Sequence, residues 1–191
     1  MRNSNRERNG GFTFVEVAIS LAIFAVLMAS AFSLTQETTS FVLDNDTDVA
    51  VQNEGNRAYD RLLGVLRKTG RVTLGGVTYP RVTGGGTQLE FRKLADLDGN
   101  GYAFDQATGV LEWDPSVYTL AADGGNYLDV YRGGVKVYPL GRFIQNVQFQ
   151  TINEDPTLHL KEIRITYEAR KPTNKGFDMV HTVNANVHMR N

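Results

Sequence analysis

The sequence predicts an α+β fold in which one long N-terminal helix is followed by an antiparallel β-sheet. Three observations lead to this prediction. Residues 12–34 form an apolar run without proline or glycine, and the 35 residues that follow, 35–69, also contain no proline. After Gly70 the spacing of apolar residues changes to two, the period of a strand with one buried face. Glycine, asparagine and proline separate the short runs that follow, as expected for turns between strands.

Length and composition limit the classes of protein to consider. The chain has 191 residues, 41% of them hydrophobic, which suits one domain, or one domain on an extended element, rather than a disordered chain. The formal net charge is −1; three arginines against one glutamate give residues 1–11 a charge of +2, so the remainder carries −3. This balance does not indicate nucleic-acid binding by bulk charge. Because the chain has no cysteine, disulfides and thiolate metal sites are excluded.

The apolar run has the length of a membrane-spanning helix. Its 23 residues would reach roughly 34 Å at about 1.5 Å per residue, enough to cross a bilayer. Arginines precede the run, and the next charged residues, Glu37 and Asp44, are acidic. The positive-inside bias therefore predicts a cytoplasmic N-terminus and an exported C-terminal part.

One charged residue, Glu16, lies inside this run and allows three interpretations. The run could be an ordinary secretory signal cut after Ala31, because Ala29-Ser30-Ala31 has the A-x-A pattern. It could be a plain anchor, with the carboxylate snorkelling at the membrane boundary. In the third interpretation the chain is cut after Gly11, and the new amine of Phe12 lies about one helical turn from the carboxylate. The two groups could pair within one helix. Alternatively, Glu16 of one subunit could pair with the Phe12 amine of the next and remove two unpaired charges from an apolar bundle.

The chain starts with a short basic leader, which is followed by GFTFVE from Gly11 to Glu16 and by an unbroken apolar helix. This arrangement resembles a known signal. It is similar to the class III signal of type IV pilins and type II secretion pseudopilins. The resemblance implies a pilin-like fold, cutting after Gly11 by a prepilin peptidase, and N-methylation of Phe12. It also implies single-pass insertion into a bacterial or archaeal cytoplasmic membrane. Assembly with other pilin subunits by an inner-membrane platform would follow.

The division of the chain follows from these patterns. We predict a basic leader at 1–11, a transmembrane or filament-core helix at 12–34, an amphipathic helix at 35–69 and a β-rich exported domain at 70–191. In the amphipathic helix the apolar residues follow i, i+3, i+4, i+7 spacing at Tyr59, Leu62, Leu63 and Leu66. Gly55 would weaken this helix by about 1 kcal/mol relative to alanine and allow local bending.

Eight runs after Gly70 have the alternation and the turn boundaries of strands. These predicted strands are Val77–Val82, Gln88–Lys93, Val110–Trp113, Tyr127–Tyr131, Val135–Leu140, Ile144–Gln150, Leu158–Glu168 and Met179–Arg190. In the last strand apolar residues from Val183 to Met189 alternate with polar ones, which predicts one buried and one solvated face.

Within these families, the chain looks most like the J-type minor pseudopilins and the W-type minor pilins. The likeness lies in the order of elements, in residues 147–170 and in the ending NANVHMRN. The resemblance also has gaps. The proline that the family often carries near the end of the apolar helix is missing, and so is the C-terminal disulfide loop of many pilins. We therefore expect a minor subunit at or near the tip of a type IV pilus or a type II secretion pseudopilus. The alternatives are a major filament subunit, or a membrane-anchored or secreted calcium-dependent binding domain.

The loop ADLDGNGYAFDQATG, residues 95–109, has the first half of an EF-hand-type calcium pattern. Oxygen ligands at positions 1, 3, 5 and 7 would be Asp96, Asp98, Asn100 and the Tyr102 carbonyl. Position 12 is Ala107 instead of glutamate, so Asp105 would have to bend back to help. Calcium is the one cofactor indicated, and the alternative is a solvated turn between strands.

No catalytic constellation stands out in the sequence. The only serine after residue 70, Ser116, lies in an Asp-Pro-Ser turn without nucleophile-elbow glycines. His181 and His188 are seven residues apart on one predicted strand, so they point to opposite faces; His159 is the third histidine. We therefore predict that the chain is not an enzyme.

Overall fold

The computed structural model describes residues 12–155, 160–173 and 175–189. It contains one α-helix, α1 (Phe14–Leu66), followed by antiparallel β-sheets, so the predicted α+β layout is confirmed. The chain separates into two compact units, residues 1–44 and 45–191, and α1 contributes residues to both.

The first unit presents its apolar side chains outward. Every side chain from residue 12 to residue 39 is exposed, and α1 is long and apolar enough to cross a membrane by length and composition. Four of its hydroxyl side chains are satisfied within the helix, because each of the four donates to the carbonyl four residues earlier. These donors are Ser30, Thr35, Thr38 and Thr39, with distances of 2.8–2.9 Å. The helix therefore needs no outside partner for these groups.

In the second unit, the end of α1 packs on the sheets through the predicted stripe. Leu62 and Leu66 are buried, and Tyr59 and Leu63 pack half-buried against the same core. The helix ends at Leu66, three residues before the predicted end. There the last turn tightens, and the Thr69 hydroxyl donates to the Leu66 carbonyl at 2.6 Å.

Among the described residues, three antiparallel sheets follow the helix. The first pairs β1 (Val72–Leu74) with β2 (Val77–Tyr79). The second has the order β3 (Arg81–Thr83), β4 (Gln88–Phe91), β5 (Tyr118–Ala122), β6 (Tyr127–Arg132), β7 (Val135–Arg142). The third has the order β10 (Asp178–Met189), β9 (Leu160–Pro172), β8 (Ile144–Asp155). A 3-10 turn at Gly84–Gly86 connects β3 to β4.

Two of the predicted strands differ from the structure. Val110–Trp113 makes only isolated bridges, because Val110 and Leu111 stay largely exposed and give the segment no buried face. The predicted strand Val77–Val82 divides into β2 and β3 at Pro80, which has no N–H to donate to a ladder. Strand β5 was missed, although Tyr118 and Leu120 alternate as buried residues.

The remaining predicted strands are present with shifted ends. In β10 the alternation is as predicted, since Ala185 and Val187 are buried while Asn184 and Asn186 are exposed. The predicted ends at Leu158 and Arg190 lie outside the described residues. The largest fully buried side chains of the core are Tyr167, Phe91, Leu62, Leu66, Leu89, Leu120, Leu128, Leu140, Ile144, Ile163 and Ile165.

The structure explains why glycine occupies position 55 of α1. A Cβ there would lie 2.9 Å from His181 Cδ2, too close for an ordinary contact. The Tyr167 hydroxyl also donates to the Gly55 carbonyl at 2.8 Å, from a fully buried position. The glycine that we expected to weaken the helix therefore allows it to approach β9 and β10 closely, and α1 stays continuous.

Candidate functional site

Glu16 caps the start of α1. Its carboxylate Oε2 accepts hydrogen bonds from the Thr13 N–H at 2.8 Å and from the Thr13 hydroxyl at 2.9 Å. The Glu16 N–H donates in return to the Thr13 hydroxyl oxygen at 3.3 Å. This reciprocal pattern is a capping box with Thr13 at the N-cap position. From the sequence we considered only the Phe12 amine, of the same chain or of a neighbour, as the partner of Glu16 and did not consider Thr13, although the Thr-x-x-Glu signature was present.

The predicted cut lies just before this cap. Phe12 precedes α1 and is 87% exposed, while Gly11 lies outside the described residues. Because Phe12 is not part of the helix, cutting in front of it would leave the hydrogen bonds between Thr13 and Glu16 in place. A new amine at Phe12 would thus appear at the positive end of the helix dipole, one residue from the cap.

Comparison with protein families identifies this segment. Residues 6–32 match the family described as the prokaryotic N-terminal methylation motif. The chain carries a prepilin-type N-terminal motif. This motif supports a type IV pilin-like or pseudopilin-like precursor, as the resemblance implied, and suggests a structural subunit rather than an enzyme. Neither a curated protein nor a solved structure matches the chain.

The prepilin-type motif also bears on processing and location. It implies processing by a prepilin peptidase and assembly with other pilin subunits. Together with the apolar first part of α1, it fits a membrane-anchored pilin. The narrower likeness to J-type pseudopilins or W-type pilins stays a prediction.

The predicted calcium loop is closed by its own hydrogen bonds. The Asp96 carboxylate accepts the N–H groups of Gly101 at 2.8 Å and Gly99 at 2.7 Å, and these bonds, that of Gly101 above all, lower the pKa of Asp96. Asp98 accepts from the side-chain amide of Asn100 at 2.7 Å, and the Asn100 oxygen accepts the Tyr102 N–H at 2.7 Å. These bonds are those of a stable turn.

The structure brings a different carboxylate to this loop from the one we expected. Carboxyl oxygens of Asp96, Asp98 and Glu112 lie within 4.8 Å of one another. Asp105 instead closes its own turn, where it accepts the Ala107 N–H at 2.8 Å and the Thr108 hydroxyl at 2.8 Å. Glu112 was missed because it lies beyond the twelve positions of the pattern and reaches the loop through the bridge between Leu94 and Trp113. Calcium binding stays a prediction, and calorimetry on the full-length chain in detergent, with and without chelator, tests it.

Of the serine and histidines considered as catalytic candidates, Ser116 forms part of a turn, His181 lies against α1 and His188 is exposed. The Ser116 hydroxyl accepts from Arg132 Nε at 3.0 Å, and its N–H donates to Asp114 at 2.8 Å. His181 lies against Gly55 of α1, and His188 is exposed with Nε2 3.8 Å from Glu162. The two histidines lie on opposite faces of β10, as predicted. His159 lies outside the described residues.

Asp114 is a nearly buried carboxylate whose charge contributes to stability. Its side chain is 12% exposed, accepts the Tyr118 hydroxyl at 2.7 Å, and lies 3.1 Å from Arg132 Nη2. Burial raises the pKa of Asp114, but the hydrogen bonds from Ser116 and Tyr118 and the charge of Arg132 outweigh it, so the pKa is below its ordinary value. A lowered native pKa stabilises the fold above the unfolded pKa of about 3.9, and this contribution is lost as pH falls through the native pKa.

We expect Asp114→Asn to lower the free energy of unfolding by about 1–3 kcal/mol at pH 7, because it removes charge-assisted hydrogen bonds. The difference from the parent chain should shrink as the pH is lowered below about 4. Urea unfolding, followed by the fluorescence of Trp113, the single tryptophan, measures this difference in the free energy of unfolding. Asp178→Asn is the matched control, because Asp178 is 43% exposed and 3.5 Å from Arg170. Equal effects of the two substitutions, or a difference independent of pH, would contradict this account.

Proposed function

We propose that the chain is the precursor of a minor pilin-like subunit, or pseudopilin. It is cut after Gly11, N-methylated at Phe12 and inserted once through the cytoplasmic membrane with its N-terminus inside. It is then assembled with related subunits into a type IV pilus or a type II secretion pseudopilus, at or near the tip. The observation that carries the proposal is the match of residues 6–32 to the prokaryotic N-terminal methylation motif.

The proposed mechanism of assembly is the burial of an apolar helix together with a charge pair. The exposed side chains from residue 12 to residue 34 pack against equivalent helices of neighbouring subunits. Cutting before Phe12 creates an amine, and Glu16 of the adjoining subunit supplies the opposite charge. Before assembly the same helix holds the chain in the membrane, so a lone copy stays there.

Two features of the sequence support a minor rather than a major subunit. The first proline of the chain is Pro80, so α1 runs through 53 residues without the proline that resembling major pilins often carry. The chain also has no cysteine and therefore no C-terminal disulfide loop. The chain therefore lacks two features of the usual major subunit.

The mass of the mature N-terminal peptide tests the proposal. The chain is expressed in a bacterium that has a prepilin peptidase, purified from the membrane and analysed by mass spectrometry. We expect a mature chain that begins at a methylated Phe12. A chain that begins at Phe32 would mean cutting by signal peptidase after Ala31 and would favour the secreted binding domain. An uncut chain would also overturn the proposal.

A further inference from the structure

Two adjoining cavities lie on one side of the second unit, between α1 and β7. The larger, about 480 Å³, is lined by α1 residues from Arg61 to Lys68, by Lys93 and by Tyr138–Leu140. The smaller, about 340 Å³, shares Arg61 and Pro139 with the first and extends it to Arg57 and Arg142. We call the two cavities together the basic groove. Its combined size suits a short peptide segment.

The basic groove concentrates positive charge in a part of the chain that is negative as a whole. Residues 12–191 carry a net charge of −3, since the chain carries −1 and its first eleven residues +2. The cationic residues of the groove are Arg57, Arg61, Lys68, Lys93 and Arg142. Among its lining residues one is acidic, Glu54, and its carboxylate already accepts the Arg142 backbone N–H at 3.0 Å. Among the described side chains, no carboxylate forms an ion pair with any of the five cationic groups.

The spacing of residues on α1 builds one wall of the groove. Arg57, Arg61 and Lys68 follow i, i+4, i+11 spacing, which places them along one face of a helix. Gly64 lies on the same face at i+7 and lines the larger cavity. A Cβ at Gly64 would meet no atom within 4 Å, so the glycine leaves open space between the cationic side chains.

Two of the cationic groups are held in place by uncharged partners. Lys93 Nζ lies 4.3 Å from the centre of the Tyr118 ring and 3.1 Å from the Tyr138 hydroxyl oxygen. Arg61 Nη1 donates to the Leu140 carbonyl at 3.0 Å. These contacts orient the groups without neutralising them, so donors of both remain for a ligand. Positioning before binding reduces the entropy lost when a ligand is bound.

We propose that the basic groove binds an acidic peptide segment of a partner protein, whose carboxylates pair with the five cationic groups. Apolar side chains of that segment would cover Tyr138 and Pro139, which form the accessible apolar floor of the groove. This apolar lining separates the proposal from nucleic-acid binding, because a phosphodiester backbone would use the cations and leave the floor uncovered. The inference concerns the second unit alone and goes beyond the proposed filament role.

Fluorescence anisotropy of the full-length chain in detergent tests the ligand class. The probe is a labelled seven-residue peptide of alternating glutamate and leucine. The comparison ligands are the same peptide with glutamine for glutamate and a single-stranded oligonucleotide. We expect the acidic peptide to bind at least about tenfold more tightly than the glutamine peptide, and the difference to shrink as salt is added. Equal binding of the two peptides, or tighter binding of the oligonucleotide, would overturn the proposal.

Three variants locate the binding. The double variant Arg61→Gln, Lys93→Gln should weaken binding of the acidic peptide at least about tenfold. Gly64→Leu should weaken it without changing charge, because the new side chain fills the larger cavity, and leucine is a better helix former than glycine. Arg164→Gln removes a charge from the exposed face of β9 and should leave binding unchanged. The groove is excluded if Gly64→Leu has no effect, or if Arg164→Gln weakens binding as much as the double variant.

Discussion

Replacing Glu16 by glutamine should reduce incorporation of the chain into filaments at least about 100-fold, because in the proposed assembly it would leave a neighbour's amine unpaired in an apolar bundle. Cutting after Gly11 should continue, since the substitution lies beyond the cut and keeps the size of the side chain. The measurement compares the amount of mature chain in the membrane with the amount in sheared filaments. Processing and incorporation are thereby read separately in one experiment.

Thr13→Val is the control that separates assembly from helix capping. It removes the hydroxyl that bonds with Glu16 but keeps the shape of the side chain and leaves the carboxylate charged. The loss of a cap hydroxyl alone should reduce incorporation less than about tenfold. If Glu16→Gln and Thr13→Val reduce incorporation equally, Glu16 is only a helix cap and the proposed pairing with a neighbour is wrong.

The N-terminal segment was the part of the chain most predictable from sequence. Its signals are local: an apolar run, a single carboxylate and a glycine all lie within 25 residues. The stripe of Leu62 and Leu66 was predictable for the same reason, because helical spacing depends only on near neighbours. The family comparison and the helix agree with these parts of the reasoning.

The features that sequence did not show depend on residues distant in the chain. Glu112 reaches Asp96 through pairing of separate segments, and no spacing rule connects the two. The basic groove likewise needs Lys93 and Arg142 beside Arg61, and these residues come from the segment after β4, from β7 and from α1. Strand pairing decides such contacts, and sequence patterns show the existence of strands more reliably than their neighbours.

Gly141 marks a close approach of β7 to α1 and carries the largest stability effect that we expect. A Cβ at this position would lie 2.5 Å from the Ala58 Cβ, whereas carbon atoms in contact prefer about 3.5–4.0 Å. Helix and strand would have to separate by about 1 Å, so Gly141→Ala should lower the free energy of unfolding by about 2–3 kcal/mol. Urea unfolding of the full-length chain in detergent measures the change.

A second substitution shows whether this contact is the cause. Ala58→Gly alone should cost about 1 kcal/mol through helix propensity, but combined with Gly141→Ala it removes the clashing methyl group. The nearest atoms to the new Cβ would then be Ile144 Cγ1 at 3.1 Å and the Cα of residue 58 at 3.5 Å, which require only a small shift. The double variant should therefore be more stable than Gly141→Ala alone, a coupling that independent sites do not show. Gly64→Ala, a change in open space on the same helix, should be neutral or stabilising by up to about 1 kcal/mol. Additive losses in the double variant would mean that the helix and the sheet do not meet at this contact.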